Sequence, residues 1–193
     1  MGGGRSGGGR RRWRPMSPPA LGYVLNETRG AADRLLATVA ADLQRDGVRV
    51  AGVVQQNTDR ADSPVCDMDV RVLPDGPVMR ISQWRGAHAR GCRLDADALE
   101  AAVVAVAERL APRPDLLILN KFGKHEAEGH GFRDLVGEAL CLGIPVLLGV
   151  NGLNRDAFLA FAGGIETRLP SDLQALRTWA LEAIPRRHVR ATA

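Results

Sequence analysis

This sequence predicts a three-layer α/β domain. The expected sheet is mainly parallel, with about five strands, helices on both faces and an antiparallel hairpin inserted after the second strand. Three observations carry that expectation. Residues 21–57 read strand, helix, strand within 37 residues, a βαβ unit that requires parallel strands and a right-handed crossover. "DLLILN" (115–120) and "IPVLLGVN" (144–151) are unbroken apolar runs, the pattern of strands buried on both faces. "CDMDVRVLPDGPVMRISQ" (66–83) instead alternates around Pro74-Asp75-Gly76, which is hairpin chemistry.

The elements run in chain order. "LGYVLN" (21–26) is a short apolar strand, and "ETRG" turns the chain. The next helix carries Leu35, Leu36, Val39, Ala40 and Leu43 at helical spacing and ends at Gly47, a residue suited to the left-handed position after a helix. "VRVAGVVQQN" (48–57) is the second strand. In the hairpin, Cys66, Met68, Val70 and Val72 share one face, while Asp67, Asp69 and Arg71 share the other. That second face is expected to be solvated, or to form a rim against a ligand or partner. A further helix has Asp95 as its N-cap and Leu99, Val103, Val106 and Leu110 as its stripe; Pro112 and Pro114 stop it. Helices are also expected in "GFRDLVGEALCLG", in "NRDAFLAFAGG" and in "SDLQALRTWALEAI", the last capped by Ser171 or Asp172. "IETRL" is an edge strand.

Composition narrows the function classes. The net charge is +4, but the first 14 residues hold five arginines and no acid, so the rest carries +4 − 5 = −1. The folded part therefore has no nucleic-acid footprint. Residues 1–19 form a Gly/Arg-rich tail too poor in apolar surface to order itself, read as an extension upstream of a natural start at Met16 or as an RGG-like arm. Residues 20–185 are the single domain, and residues 186–193 are a flexible tail. No apolar run approaches the roughly 20 residues that span a bilayer. Cys66, Cys92 and Cys141 are an odd set at wide spacings, so a reduced, cytoplasmic compartment is expected. Cys66 and Cys92 read as small buried hydrophobes. Soft-metal ligation, with His88 nearby, or a reactive Cys92 beside Arg90 and Arg93, are the alternatives.

Ligands of open parallel sheets bind at the carboxyl ends of the strands, where helix N-termini point. Four expected strands stop on amides there: Asn26, then Gln55, Gln56 and Asn57, then Asn120, then Asn151. Lys121 follows Asn120. Lys121 and Lys124 are the only lysines among 26 basic residues. The expected result is a polar, near-neutral crevice with Lys121 as its fixed cation and an anion as its guest. Lys124 is expected to face solvent. The histidines of "KHEAEGH", His125 and His130, are five apart and off one helical face; they read as exposed loop residues, with a place on the crevice rim as the alternative.

The stretches "RGAADRLL", "GVVQQNT", "CDMDVRVLPDG", "ARGCRLDADALE", "LLILNKFGKHEAEGHGFR" and "GIPVLLGVN" carry a resemblance. Together they make residues 21–184 similar to a bacterial family filed as domain of unknown function 2478. That family resembles a divergent branch of thermophile-type nucleoside triphosphatases, and its members commonly sit near molybdenum-uptake genes. The resemblance implies a three-layer P-loop NTPase-like fold. It also implies a GxxxxGK-Thr loop after the first strand, whose amides and lysine hold phosphates while its hydroxyl holds Mg²⁺. Aligned on the leucines of "NETRGAADRLL", Ala32 stands where that lysine belongs and Asp33 where the hydroxyl belongs; Gly30 alone keeps a loop-like role. The same relatives end their third core strand in an acidic pair, "DE", followed by "IGPMEL". Here Asn120 and Lys121 replace the pair, while Gly123 and Glu126 match.

A neutral amide and an ammonium cannot make a carboxylate Mg²⁺ site. The expectation is therefore an anion-binding protein on a degenerate P-loop scaffold, with hydrolysis lost. Its guest is a nucleotide or an oxyanion such as molybdate, held by Asn26, Arg29, Gly30, Gln55, Asn57, Asn120, Lys121 and Asn151, without a metal ligand set. A compact ammonium at Lys121 stands in for both the metal and the loop lysine. Two alternatives remain open. One is an active triphosphatase using Glu126 as its base. The other is an interaction module that docks a molybdenum-transport or cofactor-assembly partner.

Overall fold

The computed structural model describes residues 19–26, 30–60, 63–83 and 94–185; for residues 26, 57–60 and 63–66 it describes the backbone alone. The Gly/Arg tail, Arg29, His88, Arg90, Cys92, Arg93 and residues 186–193 lie outside the described residues, as do the side chains of Asn26, Asn57 and Cys66.

A seven-stranded sheet forms the centre of the fold. Its strands are β1 (Leu21–Asn26), β2 (Val50–Arg60), β3 (Ser63–Leu73), β4 (Val78–Arg80), β5 (Leu116–Phe122), β6 (Val146–Asn151) and β7 (Glu166–Arg168), in the spatial order β4-β3-β2-β5-β6-β1-β7. The neighbours from β2 to β7 pair in parallel, and β3 runs antiparallel to both β2 and β4. This is a P-loop NTPase-like α/β sheet with an antiparallel flank.

The helices are α1 (Ala31–Arg45), α2 (Ala96–Ala107), α3 (Lys124–Ala127), α4 (Arg133–Cys141), α5 (Arg155–Ala162) and α6 (Leu173–Ala183). On one face, Leu36, Val39 and Leu43 of α1 and Leu176 and Ala180 of α6 cover Val24, Val54, Leu116, Ile118 and Leu147. On the other, α2, α4 and α5 bring Leu99, Val106, Leu135, Val136 and Phe158 against Val53, Val70, Leu117, Leu119 and Leu148. Alternate residues of β5 enter opposite cores, as an unbroken apolar strand requires. Leu36, Val39 and Leu43 are fully buried, which is worth roughly 2 kcal/mol each. The caps are local: Asp95 accepts from Ala98 N at 3.1 Å, and Asp172 from Ala175 N at 2.8 Å.

Two expectations need correction. The second strand runs on to Arg60 and folds back directly onto β3, so the antiparallel flank begins one strand earlier than expected. Asp67 and Asp69 are buried, at 5% and 6% exposure. The Arg80 guanidinium reaches across the hairpin to both carboxylates, at 3.1 and 3.2 Å, so that face is neither bare nor solvated.

One backbone irregularity shapes the carboxyl end of the sheet. β5 pairs with β6 at Leu119↔Leu148 and resumes at Phe122↔Val150. Three steps on β5 oppose two on β6, so a bulge lies at Asn120 and Lys121. A bulge inserts one unpaired residue and re-aims side chains. The pleat recovers at Phe122, which joins the same core as Leu117 and Leu119 and packs its ring 5.3 Å from that of Phe158. Gly149 faces this bulge: a Cβ there would stand 2.5 Å from the Asn120 carbonyl oxygen.

Gly149→Ala must therefore shift the β5 backbone, and a loss of about 2 kcal/mol is expected in urea unfolding. Gly137→Ala, within α4 and with nothing within 4 Å of its added methyl, should stabilise by about 0.5–1 kcal/mol. Equal effects at the two sites would contradict the close approach at the bulge.

Candidate functional site

The bulge separates two adjacent side chains at the end of β5. Asn120 is buried, at 4% exposure. Its Nδ2 donates to Asp33 Oδ1 at 3.0 Å and to Gln55 Oε1 at 3.1 Å, and its Oδ1 accepts from Gln55 N at 3.1 Å. Both amide hydrogens and one acceptor position are thus committed within the protein. Asp33 is the third residue of α1 and is itself 8% exposed. Asn120 therefore ties the first turn of α1 and the middle of β2 to β5.

Lys121 has no hydrogen-bond or ion-pair partner among the described residues. It lines a cavity of about 620 Å³ at the carboxyl ends of the central strands. Gln55, Asn120, Asn151, Glu126 and His125 line the same cavity. Asn151 caps the short 3-10 turn Gly152–Asn154, its Oδ1 accepting from Leu153 N at 2.9 Å. Lys124 is exposed and pairs with Glu128 at 3.5 Å.

The expected site residues thus divide. Gln55, Asn120, Lys121, Glu126 and Asn151 come together around one cavity. Asn26 sits at the end of β1 in register with Asn151, and Asn57 pairs with Met68 in the β2–β3 ladder. Gly30, with φ 76°, is the left-handed residue before α1 and belongs to the α1 side of the sheet.

Two expectations about this crevice change. Its wall is not a row of amides. Val53, Val70, Ile81 and Leu99, all buried, line it together with the partly buried Met68 and Leu94, so one side is apolar. Glu126, considered as a base, is 5% exposed. Its Oε2 accepts from Gly123 N at 2.8 Å and its Oε1 from Phe132 N at 3.4 Å. Both oxygens hold the backbone of the 123–132 loop. Glu100 of α2 holds the same loop from outside, its Oε1 accepting from Gly131 N at 2.9 Å and lying 3.1 Å from His125 Nε2. Sequence reading missed this role for Glu100. An acid on an exposed helix turn carries no local sign of a partner 31 positions away.

A P-loop fold implies Mg²⁺ between the helix after the first strand and the end of the third core strand. The residues present do not fit the ion. Asp33, the carboxylate at that junction, accepts directly from the neutral amide of Asn120, and the residue after that amide is an ammonium. These side chains supply no carboxylate pair for a metal-dependent step.

A family model described as "Protein of unknown function (DUF2478)" matches residues 21–179. A curated relative from Bradyrhizobium diazoefficiens, named "Molybdenum import ATP-binding protein ModC 2", is 38% identical over 164 residues. The match covers 85% of this chain but 18% of that protein, so the chain spans less than a fifth of the relative's length. No solved structure matches.

Asn120→Ala removes the hydrogen bonds donated to Asp33 Oδ1 and Gln55 Oε1, and should cost about 2–3 kcal/mol in denaturant unfolding. Asn120→Asp should cost more at neutral pH, because two carboxylates then meet at hydrogen-bonding distance. Sharing a proton raises one carboxyl pKa in the folded state, so that variant should regain stability as pH falls below neutral. Unfolding curves recorded between about pH 7 and about pH 5 check the sign.

Proposed function

The chain belongs to the DUF2478 family, and we propose that it is an anion-binding protein whose fixed positive charge is Lys121 rather than a metal ion. The observation that carries this reading is the division at the end of β5. Asn120 is committed to Asp33 and Gln55, while its neighbour Lys121 lines a cavity with no partner among the described residues. In a hydrolytic P-loop site the corresponding pair would hold Mg²⁺ and orient the attacking water. Here the helix contributes the carboxylate and the strand the amide, and the two bond directly. An unpaired ammonium beside a partly apolar wall attracts an anion more strongly than it would in bulk water, since the local dielectric is lower.

Retained hydrolysis finds no support at Glu126, whose oxygens hold backbone amides. A role in molybdenum handling rests on the relative, whose printed name gives it molybdenum import and ATP binding. The shared segment is a small part of that protein, so the ATP binding of its name is not thereby located in the part that this chain matches. We assign this chain a binding role in that setting, on the cytoplasmic side.

A thermal-shift panel of nucleotides, molybdate, tungstate and sulfate, each with and without Mg²⁺, tests the reading. At least one anion should raise the melting temperature equally with or without Mg²⁺. At 100 times its Kd it should add about 2.7 kcal/mol, and Lys121→Ala should remove the effect. Mg²⁺-dependent phosphate release by the unaltered protein would refute it.

A further inference from the structure

The cavity that holds Lys121 also limits the kind of anion it can take. Its volume is about 620 Å³, within the range of sites for organic ligands. That is liquid space for roughly 20 waters. A tetrahedral oxyanion, four oxygens about one centre, would displace only a few of them. The remainder would stay against the partly buried Met68 and Leu94, apolar side chains backed by the buried Val53, Val70, Ile81 and Leu99.

Charge sets the opposite limit. Among the described lining residues, Lys121 is the one cation without an acidic partner. Lys124 is paired with Glu128, and His125 lies against Glu100. Glu126 and Glu128 also line the cavity. A triphosphate would bring several negative charges to a lining whose two ammoniums, Lys121 and Lys124, are already matched in number by the carboxylates of Glu126 and Glu128.

We infer that this cavity binds an organic anion with a single compact acidic head: a carboxylate, sulfonate or phosphate monoester at Lys121, with an apolar body against the wall formed by β2, β3 and the start of α2. The inference rests on the anion-binding reading and narrows it to one ligand class. It places the guest on the α2 side of the sheet, across from α1. The head group replaces water at Lys121 with a charge-assisted contact, and the body replaces water along the wall. Neither half fills the site alone.

The probe is 8-anilino-1-naphthalenesulfonate, an aromatic body with a single sulfonate whose emission rises in apolar surroundings, titrated into the full chain. One molecule should bind per chain. Lys121→Ala should weaken binding about 10-fold, the scale of one lost charge-assisted hydrogen bond. Met68→Gln and Leu94→Gln, at two partly buried wall positions, should each weaken it several-fold while circular dichroism stays unchanged; having two wall variants guards against one failing to fold. Adenosine monophosphate should displace the probe at lower concentration than orthophosphate, molybdate or ATP. If orthophosphate, molybdate or ATP competes as well as the monophosphate, or if neither folded wall variant weakens the probe, the inference of a single-headed organic anion falls and the anion reading stands. If probe and anions alike ignore Lys121→Ala, both fall.

Discussion

The arrangement depends on one buried amide. Asn120 is enclosed between α1 and the sheet, where a polar group without partners would cost a few kcal/mol. Its hydrogen bonds to Asp33 and to both backbone and side chain of Gln55 remove that cost. The same bonds fix the first turn of α1, the middle of β2 and the end of β5 relative to one another. Asn120 can turn toward α1 while its neighbour enters the cavity because the β5 bulge breaks the ladder between Leu119 and Phe122. Gly149 leaves room for the displaced carbonyl. Backbone register, packing space and site chemistry are therefore one constraint seen at three levels.

The loop beyond the bulge is held with comparable care. Glu126 caps it from within, and Glu100 fastens it to α2. Both acids are thereby engaged by backbone N–H groups, and one of them, Glu126, lines a cavity in which a free carboxylate would repel an anion. Lys121 remains as a charge without a counter-charge among the described residues, on a strand end rather than in a loop. That is a preorganised position for recognising a negative group.

Much of the fold could be read from local pattern. The runs at 115–120 and 144–151 became strands buried on both faces, and the leucine spacing of α1 gave its buried stripe. Asp95 and Asp172 cap their helices as expected, because an N-cap is decided within four residues. Pairing was less legible. Alternation in β3 shows that one face is apolar, but not that the strand folds back on β2, nor that Arg80 lies over Asp67 and Asp69. At the strand ends, the amides expected on four strands close only two: β1 ends at Asn26 and β6 at Asn151, whereas β2 runs on to Arg60 and β5 to Phe122. Sequence could not say whether an amide serves a ligand or the protein itself, since Asn offers the same donors to either. The bulge left no mark, because register belongs to a pair of strands and not to one. The apolar wall comes from Met68, Val70 and Leu94, which look like ordinary core residues until the sheet gathers them beside Lys121.

The extra residue in β5 also constrains how this protein can diverge. Removing one position at 120 or 121 would leave two steps on each strand, so Phe122 would still meet Val150 on the face of Leu119. The packing of its ring would survive, but a single residue would then have to serve in place of both the buried amide and the amine of the cavity. A lineage that uses both side chains is therefore held to this length by its chemistry rather than by its core.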